Sequence, residues 1–227
     1  MKYTKYTLNL AGAAVIAAAG FSSVEAATII SLPLGVQGRA IDNAPSGSPT
    51  GDGSGDAFNG GAAQAGAYGS GVDLVAVFSF QMTGLNPADI LSADFITTQD
   101  NTNFSDGTTF DLTANIVRAS STSTGLASDF QTVDTVLMNN FENGHVAGSV
   151  SLDPSGENTL ANWLQTNWVE DDWVFISLST GVNMEPGGTN NLHNYSGSQL
   201  LVDTVPEPSS TALLGLGGIA LLMRRRK

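Results

Sequence analysis

Short apolar runs, separated by turns rich in Gly, Asn, Ser and Asp, fill the middle of this chain and restrict it to a fold made of strands. The clearest run is Val72–Met82, in which β-branched and aromatic residues alternate between two faces. Further strands are predicted at Thr28–Leu34, Ile90–Thr97, Phe110–Arg118, Thr132–Leu137, Gly148–Leu152, Val174–Leu178 and Gln199–Thr204. Strands of this length and spacing predict an all-β fold, a jelly-roll-like β-sandwich.

Two segments depart from the strand pattern. Gly35–Gly71 is long, polar and rich in glycine, which predicts a segment without regular structure. Asn158–Val169 carries apolar residues at helical spacing, including Trp163 and Trp168, and predicts one short amphipathic helix. We expect these two tryptophans to fill the core. Trp173 lies beside three acidic residues and is expected to be more exposed, so a sugar-stacking role stays open for it.

The N-terminal segment has the layout of a secretory signal peptide. Lys2 and Lys5 form a positive region, and an Ala-rich apolar run ends at Phe21. Val24-Glu25-Ala26 has the small-residue pattern that signal peptidase cleaves. It predicts cleavage between Ala26 and Ala27 and a signal peptide at 1–26. A permanent N-terminal anchor is the alternative, and the short run disfavours it.

The C-terminal segment 205–227 has three parts. Pro206, Glu207 and Pro208 precede an apolar run at 209–223, and Arg224, Arg225, Arg226 and Lys227 end the chain. A helix over that run would be about 22 Å long, a marginal span of a hydrocarbon layer roughly 30 Å thick. Terminal cations are nevertheless typical of a membrane segment held on its cytoplasmic side.

This tripartite tail resembles the PEP-CTERM sorting signal, in which an exosortase, a membrane transpeptidase-like protease, reads the Pro-Glu-Pro box. The resemblance implies export, a transient stay in the inner membrane, and delivery to the cell surface or extracellular matrix. Its implied partners are exosortase and signal peptidase.

The intervening segment, 27–203, has the size of one domain and is strongly acidic. It contains every acidic residue except Glu25 and Glu207, and its only basic residues are Arg39 and Arg118, so its net charge is 2 − 19 = −17. Nucleic-acid binding needs clustered Lys and Arg and is therefore excluded. The chain has no cysteine, so the exported fold must hold without disulfides.

Acidic, glycine-rich turns indicate calcium as the one cofactor that the sequence suggests. Asp52 and Asp56 are four residues apart with glycines between them, and Asp100 and Asp106 flank a second oxygen-rich turn. Neither turn is an EF-hand loop. The alternative for both is an ordinary solvated turn, which is also the usual state of a like-charge run such as Glu170-Asp171-Asp172.

Four stretches resemble, in order, the secreted β-sandwich domain known as DNRLRE. They are VFSFQMTGLNPADILSADFITTQ (77–99), DLTANIVRASS (111–121), LANWLQTNWVEDDWVFISLST (160–180) and SQLLVDT (198–204). The motif that names the family is absent, and the nearest segment is Gly38–Asn43. Some members bind acidic polysaccharides through basic residues, and this domain has only Arg39 and Arg118 for such a role. The candidate ligand-binding residues are therefore Arg118, from the resemblance, and Trp173, from its aromatic face.

Catalytic motifs are missing from the sequence. His145 and His193 are the only histidines and are expected in loops, and no zinc, nucleophile-elbow or phosphate-loop pattern occurs. A carboxylate pair drawn from Glu142, Glu157 and Glu170 could serve a glycosidase. The sequence thus favours a non-enzymatic structural or adhesive protein associated with extracellular polysaccharide; the alternatives are a carbohydrate-binding module and, third, a polysaccharide-processing enzyme.

Overall fold

The computed structural model describes residues 27–43, 55–67, 72–104, 111–142, 146–180 and 191–205. Residues Thr28–Val205 form one compact unit. The predicted signal peptide and the predicted membrane segment lie outside the described residues. No helix within the described ranges has the length and apolar character needed to cross a membrane.

Antiparallel strands make up most of the described chain, which confirms the predicted all-β, sandwich-like fold. The strands are β1 (Thr28–Leu32), β2 (Leu34–Asn43), β3 (Ala57–Gly60), β4 (Ala63–Ala67), β5 (Val72–Gln81), β6 (Ile90–Phe104), β7 (Thr113–Ser120), β8 (Thr135–Asn139), β9 (Gly148–Ser151), β10 (Trp173–Ser179) and β11 (Asn191–Thr204). Among the residues described, the other elements are one helix, α1 (Pro154–Asn167), and two short 3₁₀ turns, Pro87–Asp89 and Ala127–Phe130.

These strands form one curled sheet, in which eight of them follow the order β8-β7-β10-β5-β4-β11-β6-β9 and β1, β2 and β3 lie off this path. The sheet curls at β5, because two different strands pair with the two halves of β5. Strand β4 pairs with its start at Asp73 and Leu74, and β10 pairs with its end from Ala76 to Gln81. The β2–β3 hairpin pairs with the other edge of β5, and β1 pairs with β11.

Two apolar clusters lie on opposite faces of β5, as the period of two in a strand requires. Phe78 and Phe80 face the main core, where their rings lie 5.3 Å and 5.9 Å from that of Phe95 on β6. Val75 and Val77 face the other way, into a smaller cluster. Trp173, a predicted ligand residue, packs against that smaller cluster.

Helix α1 starts four residues before its predicted N-terminus. Asp153 caps it, with Oδ1 accepting a hydrogen bond from the Gly156 N–H at 2.7 Å, and Pro154 occupies the first turn, where its missing N–H costs nothing. Leu160 and Leu164 are buried in the main core, and Trp163 and Trp168 pack against it from half-buried positions.

The prediction for Gly35–Gly71 was wrong. Its described parts contain β2, β3 and β4. Pairing along β5 supplies the hydrogen bonds that hold β2, and small side chains such as Ala63 and Ala65 fit the fully buried positions of β4. His193 is likewise a buried strand residue and not a loop residue, because β11 begins at Asn191, eight residues before the predicted strand.

Candidate functional site

Trp173 lies on the face of the sheet opposite the main core. It is the first residue of β10, is half-buried, and packs against the smaller apolar cluster formed by Ala40, Val75, Val77, Val117 and Phe175. Its indole lies directly on the Gly35 backbone, since a Cβ built at Gly35 would be 2.1 Å from Trp173 Cζ3. Any larger residue at position 35 would therefore clash with this ring.

Polar side chains flank Trp173 on both neighbouring strands. Gln81 of β5 and Ser120 of β7 are its direct register partners, and both are half-buried. Residues directly opposite each other in antiparallel strands point to the same face. The row Gln81–Trp173–Ser120, which we name the Trp173 row, thus places an amide and a hydroxyl beside an aromatic ring.

Arg118, the second predicted ligand residue, is held by groups within the domain. Its Nε and Nη2 donate to the two carboxylate oxygens of Asp129 at 2.7 Å and 3.1 Å, and Nη2 also donates to the Thr124 carbonyl oxygen at 2.9 Å. The guanidinium carbon lies 3.7 Å from the centroid of the Phe175 ring. The structure brings Arg118 and Trp173 to the same small cluster, with Phe175 two residues along β10 from Trp173.

The Trp173 row consists of residue types that can contact a sugar. Aromatic faces contact the apolar faces of pyranose rings, and amide and hydroxyl groups exchange hydrogen bonds with sugar hydroxyls. Arg118 offers less to a ligand, because two of its three guanidinium nitrogens already donate to Asp129 and Thr124. The roles of Trp173 and Arg118 in ligand binding stay predictions.

The structure describes two of the four predicted calcium ligands, Asp56 and Asp100. Asp52 and Asp106 lie outside the described residues. Asp56 Oδ2 accepts a hydrogen bond from the Asn43 N–H at 2.8 Å, and Asp100 Oδ1 accepts one from the Ser196 hydroxyl at 2.6 Å. Among the residues with a described position, no group of three or more His, Asp or Glu side chains is arranged to hold a metal ion. Calcium binding stays a prediction.

The sequence did not indicate one pair of buried carboxylates. Asp42 on β2 and Asp73 on β5 are register partners, with exposed fractions of 0% and 6%. Neither residue belongs to an acidic turn, and only knowledge of the β2–β5 register reveals the pair.

His193 belongs to a second set of buried polar side chains. Its Nε2 lies 3.6 Å from Glu142 Oε2, and its ring centroid is 6.2 Å from that of Tyr195. Burial, followed by the nearby Glu142 charge, raises the pKa of Tyr195. The alternation of His193 and Tyr195 in NLHNYS is a weak strand signal that could have indicated their common inward face.

The three candidate catalytic glutamates lie in three separate parts of the chain. Glu142 follows β8, Glu157 lies in the first turn of α1, and Glu170 precedes β10. Glu170 Oε1 accepts hydrogen bonds from the Gly84 N–H at 2.7 Å and the Thr83 hydroxyl at 3.0 Å, and these bonds lower the pKa of Glu170, as does one from Trp168. Glu170 therefore fixes the loop that follows β5.

The predicted processing residues flank the β-domain in the sequence. Ala26 is outside the described residues, and Ala27 is exposed immediately before β1. Thr204 ends β11, whereas Pro206, Glu207, Pro208, Arg224, Arg225 and Arg226 lie outside the described residues. Thr28 and Thr204 are register partners, so the first residue of β1 lies beside the last residue of β11.

Residues 204–227 match a family model described as the PEP-CTERM protein-sorting motif. The motif indicates that the protein is exported, is sorted and processed by an exosortase, and has a surface or extracellular location. The comparison with curated proteins gives no match. The resemblance of the middle region to the DNRLRE domain stays a prediction.

Proposed function

We propose that the protein is a non-enzymatic structural or adhesive component of the cell surface or of the extracellular polysaccharide matrix. The observation that carries this proposal is the sorting motif, which begins at Thr204, the last residue of the β-domain's final strand. The exported cargo is therefore a β-domain that reaches the motif without a linker. An all-β domain with a net charge of −17 suits a hydrated, crowded exterior, because self-repulsion keeps it soluble.

A localisation experiment tests the delivery step. Changing Pro206-Glu207-Pro208 to Ala-Ala-Ala should leave the protein in the membrane fraction with its tail attached. The neighbouring change Ser209-Ser210 to Ala-Ala is the matched control and should be processed like the wild type. Equal release of the Pro-Glu-Pro variant and the wild type would contradict sorting through this box.

The structural or adhesive role needs its own measurement. Cells that lack the protein should lose cohesion, measured as slower sedimentation of cell aggregates, and cells expressing the wild-type chain should recover it. The box variant should fail to restore cohesion because it is not delivered. Unchanged aggregation in the deletion strain would contradict the adhesive role while leaving the localisation result intact.

The Trp173 row supports carbohydrate binding as a second candidate function. The exported protein should bind a subset of neutral or acidic glycans on an array, and Trp173→Ala should reduce the affinity at least tenfold, or about 1.4 kcal/mol. Trp173→Phe keeps an aromatic face and is the control expected to retain most of the binding. If both variants bind like the wild type, Trp173 is a packing residue only. A separate assay for released reducing sugar tests enzyme activity, and a non-enzymatic protein should release none.

A further inference from the structure

Arg39 lies on β2 at the boundary between the core and solvent, and it is half-buried. Its register partner on one side is Ala76 of β5, which is fully buried. Its partner on the other side is the exposed Asn59 of β3, a strand that pairs only with β2 among the described strands. Directly opposed residues of antiparallel strands share a face. This position lets the aliphatic stem of Arg39 lie over Ala76 while its charged head reaches toward Asn59 and water.

The guanidinium of Arg39 carries donors that the fold does not use. Its Nε is buried and donates no hydrogen bond. No residue in the described part of the chain forms an ion pair with it, whereas Arg118 is paired with Asp129. Asp56, which precedes β3, turns its carboxylate to the Asn43 N–H instead. A buried donor without an acceptor costs free energy, and the cost is larger for a charged group. Within the described residues, Arg39 is thus the basic side chain that stays available to an anion.

The surroundings of Arg39 restrict the kind of anion that it can bind. A guanidinium binds a carboxylate through parallel N–H···O bonds. The exposed residues of β3 are Asn59 and Gly60, so this strand offers an amide and backbone groups, which suit sugar hydroxyls better than apolar peptide side chains. The net charge of −17 repels a ligand that carries many negative charges. The best fit is therefore a hydroxylated ligand with a single carboxylate.

We propose that Arg39 binds the carboxylate of a uronic acid residue that stands in an otherwise neutral stretch of glycan, with the Asn59 amide beside it for the sugar hydroxyls. This site is separate from the Trp173 row. Ala40, the next residue on β2, packs in the smaller cluster with Trp173, so Arg39 points to the opposite face of its strand. The inference therefore goes beyond the functions proposed above and does not rest on a sugar-binding role of Trp173.

Calorimetric titration of the exported protein at low ionic strength tests the ligand class. The probes are a neutral glucose tetrasaccharide, the same tetrasaccharide with a single glucuronic acid, and a tetrasaccharide of glucuronic acid alone. The singly charged probe should bind about tenfold more tightly than the neutral one, and also more tightly than the fully charged one. Tighter binding of either other probe would overturn the proposal. A neutral peptide with a single glutamate should bind more weakly than the singly charged sugar, and equal binding would overturn the assignment to a sugar.

Two substitutions test the residue itself. Arg39→Gln should reduce the affinity for the singly charged probe about tenfold, to that for the neutral one. It removes an unused buried donor, so the melting temperature of the free protein should not fall. Asn59→Asp keeps Arg39 but places a carboxylate beside it, which should displace the ligand and raise the melting temperature, whereas the matched control Asn59→Ser should keep most of the affinity. Trp173→Ala should bind this probe like the wild type. Wild-type affinity in both Arg39→Gln and Asn59→Asp would overturn the proposal.

Discussion

Arg118 lies between the buried carboxylate of Asp129 and the ring of Phe175, with Nε 2.7 Å from Asp129 Oδ1 and the guanidinium carbon 3.7 Å from the ring centroid. The Asp129 side chain is fully buried, and that of Arg118 is 19% exposed. The Asp129 Oδ2 atom also accepts from the Leu126 N–H at 2.8 Å. One ion pair therefore anchors the 3₁₀ turn Ala127–Phe130 against β7, on the same face as Trp173.

Removing this arginine should destabilise the domain strongly. Arg118→Met keeps much of the side-chain volume but leaves the Asp129 carboxylate buried without its cation, which costs about 3 kcal/mol. The free energy of unfolding from urea titration measures the loss. The double variant Arg118→Met with Asp129→Asn removes the stranded charge and should recover part of it. An unchanged midpoint for Arg118→Met would mean that the pair does not hold the turn.

Trp163 should act as a packing residue of the main core. It packs against that core from a half-buried position, and its indole N–H donates to Asp134 Oδ2 at 2.6 Å. Trp163→Ala should lower the free energy of unfolding by about 2–4 kcal/mol, at or below the usual range for a buried ring because part of the side chain is exposed.

The matched control is Trp163→Phe, which keeps most of the apolar contact and loses the hydrogen bond, a cost of about 1 kcal/mol. Thermal unfolding of both variants would show the order. A melting temperature equal to that of the wild type for Trp163→Ala would place the ring on the surface and favour a role in ligand contact.

Local patterns in the sequence identified those elements that carry their own signal. Val72–Met82 alternates clearly and became β5, and the spacing of Leu160, Trp163 and Leu164 indicated α1 within four residues. Strand β2 was missed because Gly35 and Gly38 weaken a strand signal, while its stability comes from pairing with β5, far along the chain. A long-range pairing leaves little trace in a local window.

The candidate site was predictable only in part, for the same reason. Trp173 and Arg118 were singled out individually, but their shared neighbour Phe175 and the carboxylate of Asp129 follow from strand register and from a turn that returns to the sheet. The opposed carboxylates Asp42 and Asp73 likewise become neighbours only through β2–β5 pairing. Residue type indicates what chemistry is possible, and register decides which groups meet.

Asp94 should make stability depend on pH. Burial raises the pKa of Asp94 above 3.8, the Leu152 N–H bond opposes this, and the Glu157 charge adds to it. The fold therefore holds the proton more tightly than the unfolded chain does, so stability falls as pH rises from 3.8 through the folded pKa. Asp94→Asn keeps an acceptor for Leu152 and should raise the melting temperature at pH 7.

That gain should disappear well below pH 3.8, where Asp94 is protonated in both states. Glu170 supplies a control of opposite sign. The hydrogen bond from Gly84 and those from Trp168 and Thr83 lower the pKa of Glu170, so its contribution to stability is present above 4.5 and lost as pH falls through the folded pKa. Glu170→Gln should thus destabilise at pH 7. A stabilising effect of Asp94→Asn that is equal at both pH values would contradict the burial argument.

Calcium should stabilise the folded domain if the acidic turns bind it. The domain has a net charge of −17 without lysine or disulfides, so a cation bound only by the folded state would offset carboxylate repulsion. At a hundredfold excess over its dissociation constant such an ion adds about 2.7 kcal/mol. The melting temperature in millimolar calcium should therefore exceed that in chelator by several degrees.

Sodium chloride at the same ionic strength is the control for screening. Asp52→Asn and Asp106→Asn, made separately, should each remove the part of the gain that comes from its own turn, whereas identical melting curves in calcium and sodium would show that both turns are solvated loops.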